Sequence, residues 1–142
     1  MTPVENNPPH KEPRPRLVEF RERLLHLHKA LIESERIGYE RVFGSIGSPA
    51  NFLQLLTRDP WFGWLQPVST FIVALDEALE GKEPITAELV DRFFKNARAL
   101  LTPLEGGDDF ATHYSEALQR DPNVLLAHGD LVKSFRAPKK GG

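Results

Sequence analysis

The sequence contains no cysteine among its 142 residues. Disulfide bonds, cysteine nucleophiles and thiolate metal ligands are therefore excluded, and a reducing cytoplasm is the expected location. Long apolar runs are also missing. The longest covers residues 71–75, whereas a membrane-spanning helix needs about 20 apolar residues. The first residues carry no apolar segment typical of a secretory signal, so we expect a cytoplasmic protein without a membrane partner.

Neither sign of charge is in strong excess. The formal net charge is -2 at pH 7, so the chain as a whole has no bulk electrostatic attraction for nucleic acid or anionic lipid. Basic residues gather near the end of the chain, at Lys133, Arg136, Lys139 and Lys140. Four charges are a weak phosphate-binding signal. We interpret this segment as a solvated tail and expect no nucleic-acid partner.

No motif identifies a reaction. The segment 44–47 lacks the Lys-Ser/Thr pair that completes a phosphate-binding loop. The acidic run at residues 105–109 lacks the length and ligand spacing of a calcium loop, and Asp108 or Asp109 is better explained as a helix cap. No arrangement of serine, histidine and acid stands out. The sequence therefore favours a non-catalytic protein and assigns no activity.

Proline, by contrast, is abundant, with 12 residues, and several prolines mark helix starts. Ser48, Asp59 and Asp121 each stand directly before a proline. Their side-chain oxygens can accept hydrogen bonds from the first free amides of a helix, and proline at the first helical position lacks an amide that would need a partner. Thr86, which follows Pro84, is a fourth start signal. The chain is therefore divided into short helical segments.

Apolar residues between these starts repeat at helical spacing, and no segment alternates as a strand would. The sequence predicts an all-α fold, a bundle of four to six helices. The predicted segments are about 15–43, 49–58, 60 onward, 86–101, 109–120 and 122–135. Pro67 predicts either a kink near Gly63 or a new helix start. One domain is expected at residues 14–135, between a flexible Pro-rich tail at 1–13 and a flexible basic tail at 136–142.

Two predicted helices carry apolar arcs wider than one core-facing stripe requires. On the first helix the stripe consists of Leu17, Phe20, Leu24, Leu27 and Leu31. On the fourth, the residues expected to face inward are Leu89, Phe93, Ala97 and Leu100. The remaining apolar residues, represented by Leu25, Ile32 and Phe94, are candidates for a partner surface. Phe62, on the side opposite Trp61 and Trp64, is a further candidate if it is exposed.

Two resemblances accompany these patterns. The segments RLLHLHKALIESER, SPANFLQLLTRDPWFGWLQP and FIVALDE resemble a family of small uncharacterised bacterial helical proteins, which implies a helical domain over roughly residues 20–130 and no activity. Residues 114–135 also resemble the closing half of a tetratricopeptide repeat, on Tyr114, Ala117-Leu118 and Asp121-Pro122. An ordinary helix-Asp-Pro-helix turn is the alternative, because no second copy lies 34 residues upstream and a stable array needs about three repeats.

A polar stripe runs along the first helix inside its apolar arc. At about 100° per residue, Arg21, His28, Glu35 and Tyr39 share one line, with apolar residues on both sides. Polar groups in such surroundings are costly unless they are paired. They either bond to partners on other helices or line a pocket or an interface.

Three histidines, His28, His113 and His128, are expected to face inward from three helices. Three imidazoles could bind Zn or another divalent cation and leave an open position for water, with Glu35 or Tyr39 in support. The arrangement resembles the three-histidine sites of DinB-like helical bundles. Each imidazole could instead be a core histidine with one hydrogen bond.

These features lead to two hypotheses of function. The first is a non-catalytic helical bundle without a cofactor that acts as an interaction or structural protein, with a dimer through a long helix as the expected assembly. The second is a bundle that binds a metal or a small ligand through inward-facing histidines.

Overall fold

The structure is a computed structural model that describes residues 12–102 and 108–136. Within these ranges the chain is all-helical and contains no strand. The helices are α1 Pro13–Phe43, α2 Pro49–Arg58, α3 Pro60–Gly63, α4 Gln66–Glu80, α5 Ala87–Leu101, α6 Asp109–Arg120 and α7 Pro122–Val132, followed by a 3₁₀ turn Lys133–Phe135. The all-α class is confirmed, whereas four to six helices was too few. The expected tails at 1–13 and 136–142 lie almost entirely outside the described residues.

The additional helix results from a two-residue turn, Trp64 and Leu65, that separates α3 from α4. Helix α3 ends at Gly63, and α4 begins at Gln66 with Pro67 in its first turn. Proline has no amide hydrogen, so it cannot continue the hydrogen-bond ladder to the carbonyl of Gly63. The intervening turn is closed instead by the amide of Leu65, which donates to Phe62 O at 3.1 Å. Of the two possibilities that Pro67 left open, the new helix start is the one observed.

Side-chain caps begin five of the helices. In each case the side-chain oxygen accepts a hydrogen bond, at 2.9 to 3.1 Å, from a backbone amide in the first turn. The capping residues are Ser48, Asp59, Thr86, Asp108 and Asp121. Such caps typically contribute about 1 kcal/mol each. The helix starts predicted from these residues are confirmed.

Helix α1 forms the centre of the core. It packs against α7, α4, α5 and α3, while α6 packs against α7 and α5. The stripe predicted to face the core is completely buried and consists of Leu17, Phe20, Leu24, Leu27 and Leu31. The Phe20 ring makes an edge contact with Phe94 of α5, with centroids 5.1 Å apart. This contact holds α5 against α1.

The predicted inward face of α5 was wrong in part. The buried residues are Val90, Phe94, Ala97 and Leu101, whereas Leu89, Phe93 and Leu100 are only half-buried. Apolar residues on α5 come in adjacent pairs, so periodicity alone left two neighbouring faces nearly equivalent. Packing of Phe94 on Phe20 selects one of them. Phe93 lies at the edge of the core, against Phe71 at 5.8 Å.

Candidate functional site

The polar stripe of α1 is largely occupied by contacts within the fold. Arg21 forms an ion pair with Asp76 of α4, and this hydrogen bond raises the pKa of the guanidinium. His28 Nε2 lies 3.1 Å from Ser69 Oγ, also on α4. Both residues therefore form interhelical bonds, and His28 also lines a cavity.

Glu35 is the third member of the stripe and is buried. Its Oε2 accepts a hydrogen bond of 2.8 Å from Arg120 Nη2 at the end of α6. The same guanidinium nitrogen donates to Ser34 Oγ at 3.3 Å. A buried carboxylate needs such a partner because its desolvation is otherwise uncompensated. This pair ties α1 to α6.

Tyr39, the last residue of the stripe, belongs to an aromatic cluster. Its ring centroid lies 5.6 Å from Phe62 and 5.7 Å from Trp61. Phe62 is only 1% exposed and also contacts Phe52 of α2 at 5.8 Å. The prediction of Phe62 as a partner-surface residue was therefore wrong. The Phe62 ring is covered by Tyr39 of α1 and Phe52 of α2, contacts that spacing within one helix does not reveal.

The other three surface candidates divide into two groups. Phe94 is 4% exposed and belongs to the core, so its assignment to a partner surface was wrong for the reason given for α5. Leu25 and Ile32 are half-buried at the core edge. Ile32 lines a cavity of about 460 Å³ beside His28. Neither Leu25 nor Ile32 forms an open apolar face.

The three predicted histidine ligands have separate surroundings. His28 contacts Ser69, and the ring of His113 stacks on Trp64 with centroids 5.2 Å apart. His128 contacts Tyr114, and each histidine lines a different cavity. The described part of the chain holds no group of three or more His, Cys, Asp or Glu side chains that could bind a metal ion. The three histidines do not form the zinc site predicted for them, because helical periodicity gives a face but not a height along the bundle.

The contact between Tyr114 and His128 sets the state of both groups. Tyr114 is 0% exposed, and burial raises the pKa of its phenol, so the hydroxyl keeps its proton at neutral pH. Tyr114 Oη lies 2.6 Å from His128 Nδ1 and has no other partner among the described residues. If the hydroxyl accepted this bond, its own proton would be buried and unpaired, which is costly. The phenol therefore donates to Nδ1.

This geometry leaves the imidazole proton of His128 on Nε2. Burial lowers the pKa of His128 below its ordinary value, so the ring is neutral at pH 7. Nε2 has no hydrogen-bond partner among the described residues. His128 thus presents one free N–H donor.

A cavity of about 330 Å³ lies beside this histidine, between α5, α7 and the 3₁₀ turn. We term it the α5–α7 cavity; it is lined by Arg98, Leu101, Thr102, His128, Leu131, Val132, Phe135 and Arg136. The Arg98 guanidinium lies over the Phe135 ring at 5.0 Å and donates to Phe135 O at 3.4 Å. Among the described residues, this lining carries two cations and no carboxylate. Sequence reasoning found His128 but missed Arg98, which lies 30 residues away on another helix.

A second cavity, of about 490 Å³, is lined by both tryptophans. The Nε1 donors of Trp61 and Trp64 are buried and have no hydrogen-bond partner within the described part of the chain. Glu35 and Arg120 also line this cavity, but they neutralise each other in the ion pair described above. Carboxylates of Asp109 and Glu116 complete a lining of mixed charge.

Exposed apolar side chains gather on the outward side of α7. Leu125 is 53% and Leu126 71% exposed. We term Leu125, Leu126 and Gly129 the outer α7 face. It borders a groove of about 470 Å³ whose charged rim includes Asp130 and Lys133. The helical winding that buries Val124 and Leu131 also directs these leucines outward, so the sequence held a signal for this face that was not used.

A comparison with known proteins finds no matching family model, no matching curated protein and no matching solved structure. The resemblance to a bacterial helical family and the repeat-like character of residues 114–135 stay predictions. Among the described residues, no helix combines the length and apolar character needed to cross a membrane.

Proposed function

We propose that the protein is a non-catalytic helical bundle that functions through self-association, with the outer α7 face of one copy packed against that of another. The observation that carries the proposal is the exposure of Leu125 and Leu126 on one short helix. Burying a leucine contributes about 1.5–3 kcal/mol, and four such side chains would meet in a symmetric pair.

Gly129 supports the proposal because the fold itself does not need a glycine there. It lies inside α7, where glycine destabilises a helix by about 1 kcal/mol relative to alanine. A Cβ atom added at this position would meet no atom of the described residues within 4 Å. A second helix that crosses α7 at Gly129 would need the space left by the absent side chain, since small residues allow two helix backbones to approach closely.

The charges at the rim favour a second copy as the partner. Asp130 and Lys133 lie one turn apart, with Oδ1 and Nζ separated by 3.8 Å. In a two-fold pair the same patch meets itself, so Asp130 of one copy can face Lys133 of the other. Exposed ion pairs contribute little energy. They would set the register of the two helices, while the leucines supply the affinity.

The test is the mass of the untagged protein in solution, measured by light scattering and native mass spectrometry from low to high micromolar concentration. We expect a dimer that dissociates on dilution. Leu126→Glu should yield a folded monomer, because two carboxylates would be buried in the pair. Val73→Glu, at an exposed apolar position of α4, is the matched control and should leave the dimer intact.

Two results would contradict this function. One is a strictly monomeric wild-type protein at high micromolar concentration. The other is a dimer that Leu126→Glu leaves unchanged. Native spectra recorded with and without a chelator also test the metal hypothesis, because a metal-sized mass lost to the chelator would reveal a bound ion.

A further inference from the structure

We infer that the α5–α7 cavity binds a small amphipathic carboxylate, of the chemical class of medium-chain fatty acids. This site uses residues of α7 other than those of the outer α7 face, so it does not depend on self-association. The volume of about 330 Å³ lies at the lower end of the roughly 300–1,000 Å³ typical of ligand pockets.

The apolar lining of the cavity indicates that the ligand has a hydrocarbon part. Leu101 and Leu131 are buried residues of the core, and Phe135 closes the cavity from the 3₁₀ turn. Aliphatic and aromatic walls favour a hydrocarbon chain, because each buried methylene contributes about 0.8 kcal/mol. A purely polar ligand would lose hydration here without replacing it.

The donors set the charge of the ligand. Arg98 and Arg136 both line the cavity, and neither forms an ion pair with a carboxylate among the described residues. Stacking on Phe135 holds the Arg98 guanidinium at the cavity. Charge-assisted hydrogen bonds from a guanidinium are suited to a carboxylate. A cationic ligand would be repelled.

His128 adds a neutral donor to this pair of cations. Its Nδ1 accepts from Tyr114 at 2.6 Å, so Nε2–H is the group left for a ligand. Tyr114 acts as a positioning residue, because it holds the tautomer and the ring orientation of His128. The site therefore combines a fixed N–H donor, two guanidinium groups and an apolar wall.

The experiment is calorimetric titration of the full chain with octanoate, octanol and acetate. We expect octanoate to bind, and octanol and acetate each to bind at least tenfold more weakly, because each lacks one of the two recognised parts. Octanol that binds as tightly as octanoate would overturn the assignment of the charge. Octanoate that fails to bind at millimolar concentration would overturn the site.

Variants of α5 locate the carboxylate. Arg98→Gln should weaken octanoate binding about tenfold, the size expected for one charge-assisted contact. Arg92→Gln, on the exposed surface of the same helix, is the matched control and should bind as the wild type does. Equal affinities in the two variants would contradict the role of Arg98. Arg98→Lys, which keeps the charge, should retain most of the affinity and serves if Arg98→Gln fails to fold.

Nitrogen NMR of the imidazoles tests the position of the ligand independently of any variant. Octanoate should shift the Nε2 resonance of His128 and leave that of His28, which lines a different cavity, unchanged. A shift at His28 with none at His128 would place the ligand elsewhere and overturn the inference.

Discussion

The polar stripe of α1 and the outer α7 face lie on two helices that pack together, but they differ in whether their side chains have partners within the fold. On α1, polar side chains lie among apolar neighbours, and Arg21, His28 and Glu35 all find partners on other helices. On α7, Leu125 and Leu126 are exposed at the surface that the described residues form. The polar side chains of this stripe are thus explained by the fold, whereas the exposed leucines of α7 are not. A partner is therefore better sought at α7 than along the polar stripe.

The largest expected effect is the difference in the free energy of unfolding between removing a leucine from the core and removing one from the surface. Leu27→Ala removes a completely buried side chain of α1 and should lower the free energy of unfolding by about 2–5 kcal/mol. Leu126→Ala, at an exposed position, should change it by less than about 0.5 kcal/mol in the monomer. Urea unfolding at low protein concentration measures both. Similar losses would show that α7 turns a different face to the core.

The second prediction breaks the best-buried pair of the polar stripe. Arg120→Ala leaves Glu35 as a buried carboxylate without its cation and should destabilise the fold by about 1–3 kcal/mol. Arg36→Ala is the control, because the partners of Arg36 in the described ranges, Glu33 and Glu40, lie on the same helix. Pairs of that kind are worth about 0.5 kcal/mol or less. Equal effects in thermal unfolding would show that the tie between α1 and α6 contributes nothing.

The third prediction concerns Gly129 and separates monomer stability from association. Gly129→Ala should stabilise the monomer by up to about 1 kcal/mol, because alanine is the better helix former and the added methyl group meets no atom. The same methyl group should weaken the dimer. Unfolding at low concentration and sedimentation at high concentration measure the two effects. Should the dimer hold equally well, the helices do not approach at Gly129.

The smallest expected effect is a pH dependence from His28 and His128. Burial lowers the pKa of both groups below the ordinary value of 6.5, so just below pH 6.5 the unfolded chain binds more protons than the folded one. Above about pH 6.5 these histidines therefore do not lower the free energy of unfolding. Below that pH the free energy of unfolding decreases as the pH falls.

Denaturant midpoints between pH 7.5 and 5 measure this dependence. His128→Gln should reduce the slope, whereas His26→Gln, at an exposed position of α1, should not. A slope that survives the replacement of both His28 and His128 would assign it to other groups.

Local features were the part of the fold that could be predicted. Helix caps depend on hydrogen bonds within three residues. The starts of the helices capped by Ser48, Asp59 and Asp121 could therefore be predicted from the sequence. The range of α2 matched the prediction to the residue. The buried stripe of α1 was also recognised, because its apolar residues repeat without a competing face.

The site was only partly predictable, because its members come from separate helices. His128 was recognised from its inward position, but its partner Tyr114 and its neighbour Arg98 required the packing of α6 against α7 and of α5 against α1 and α6. For His28, His113 and His128 the reverse holds: the sequence predicted that they come together, and the packing of the described helices does not bring them together. Angular position on a helix follows from spacing, whereas distance between helices does not.

By itself, the sequence determined the helical class, the starts of the helices and the buried stripe of α1, since each follows from hydrogen bonds and periodicity within a few residues. Tertiary structure alone decided which face of α5 is buried, why Phe62 is covered and what surrounds each histidine. Those outcomes depend on how whole helices pack against one another. Such packing joins side chains that local spacing leaves independent.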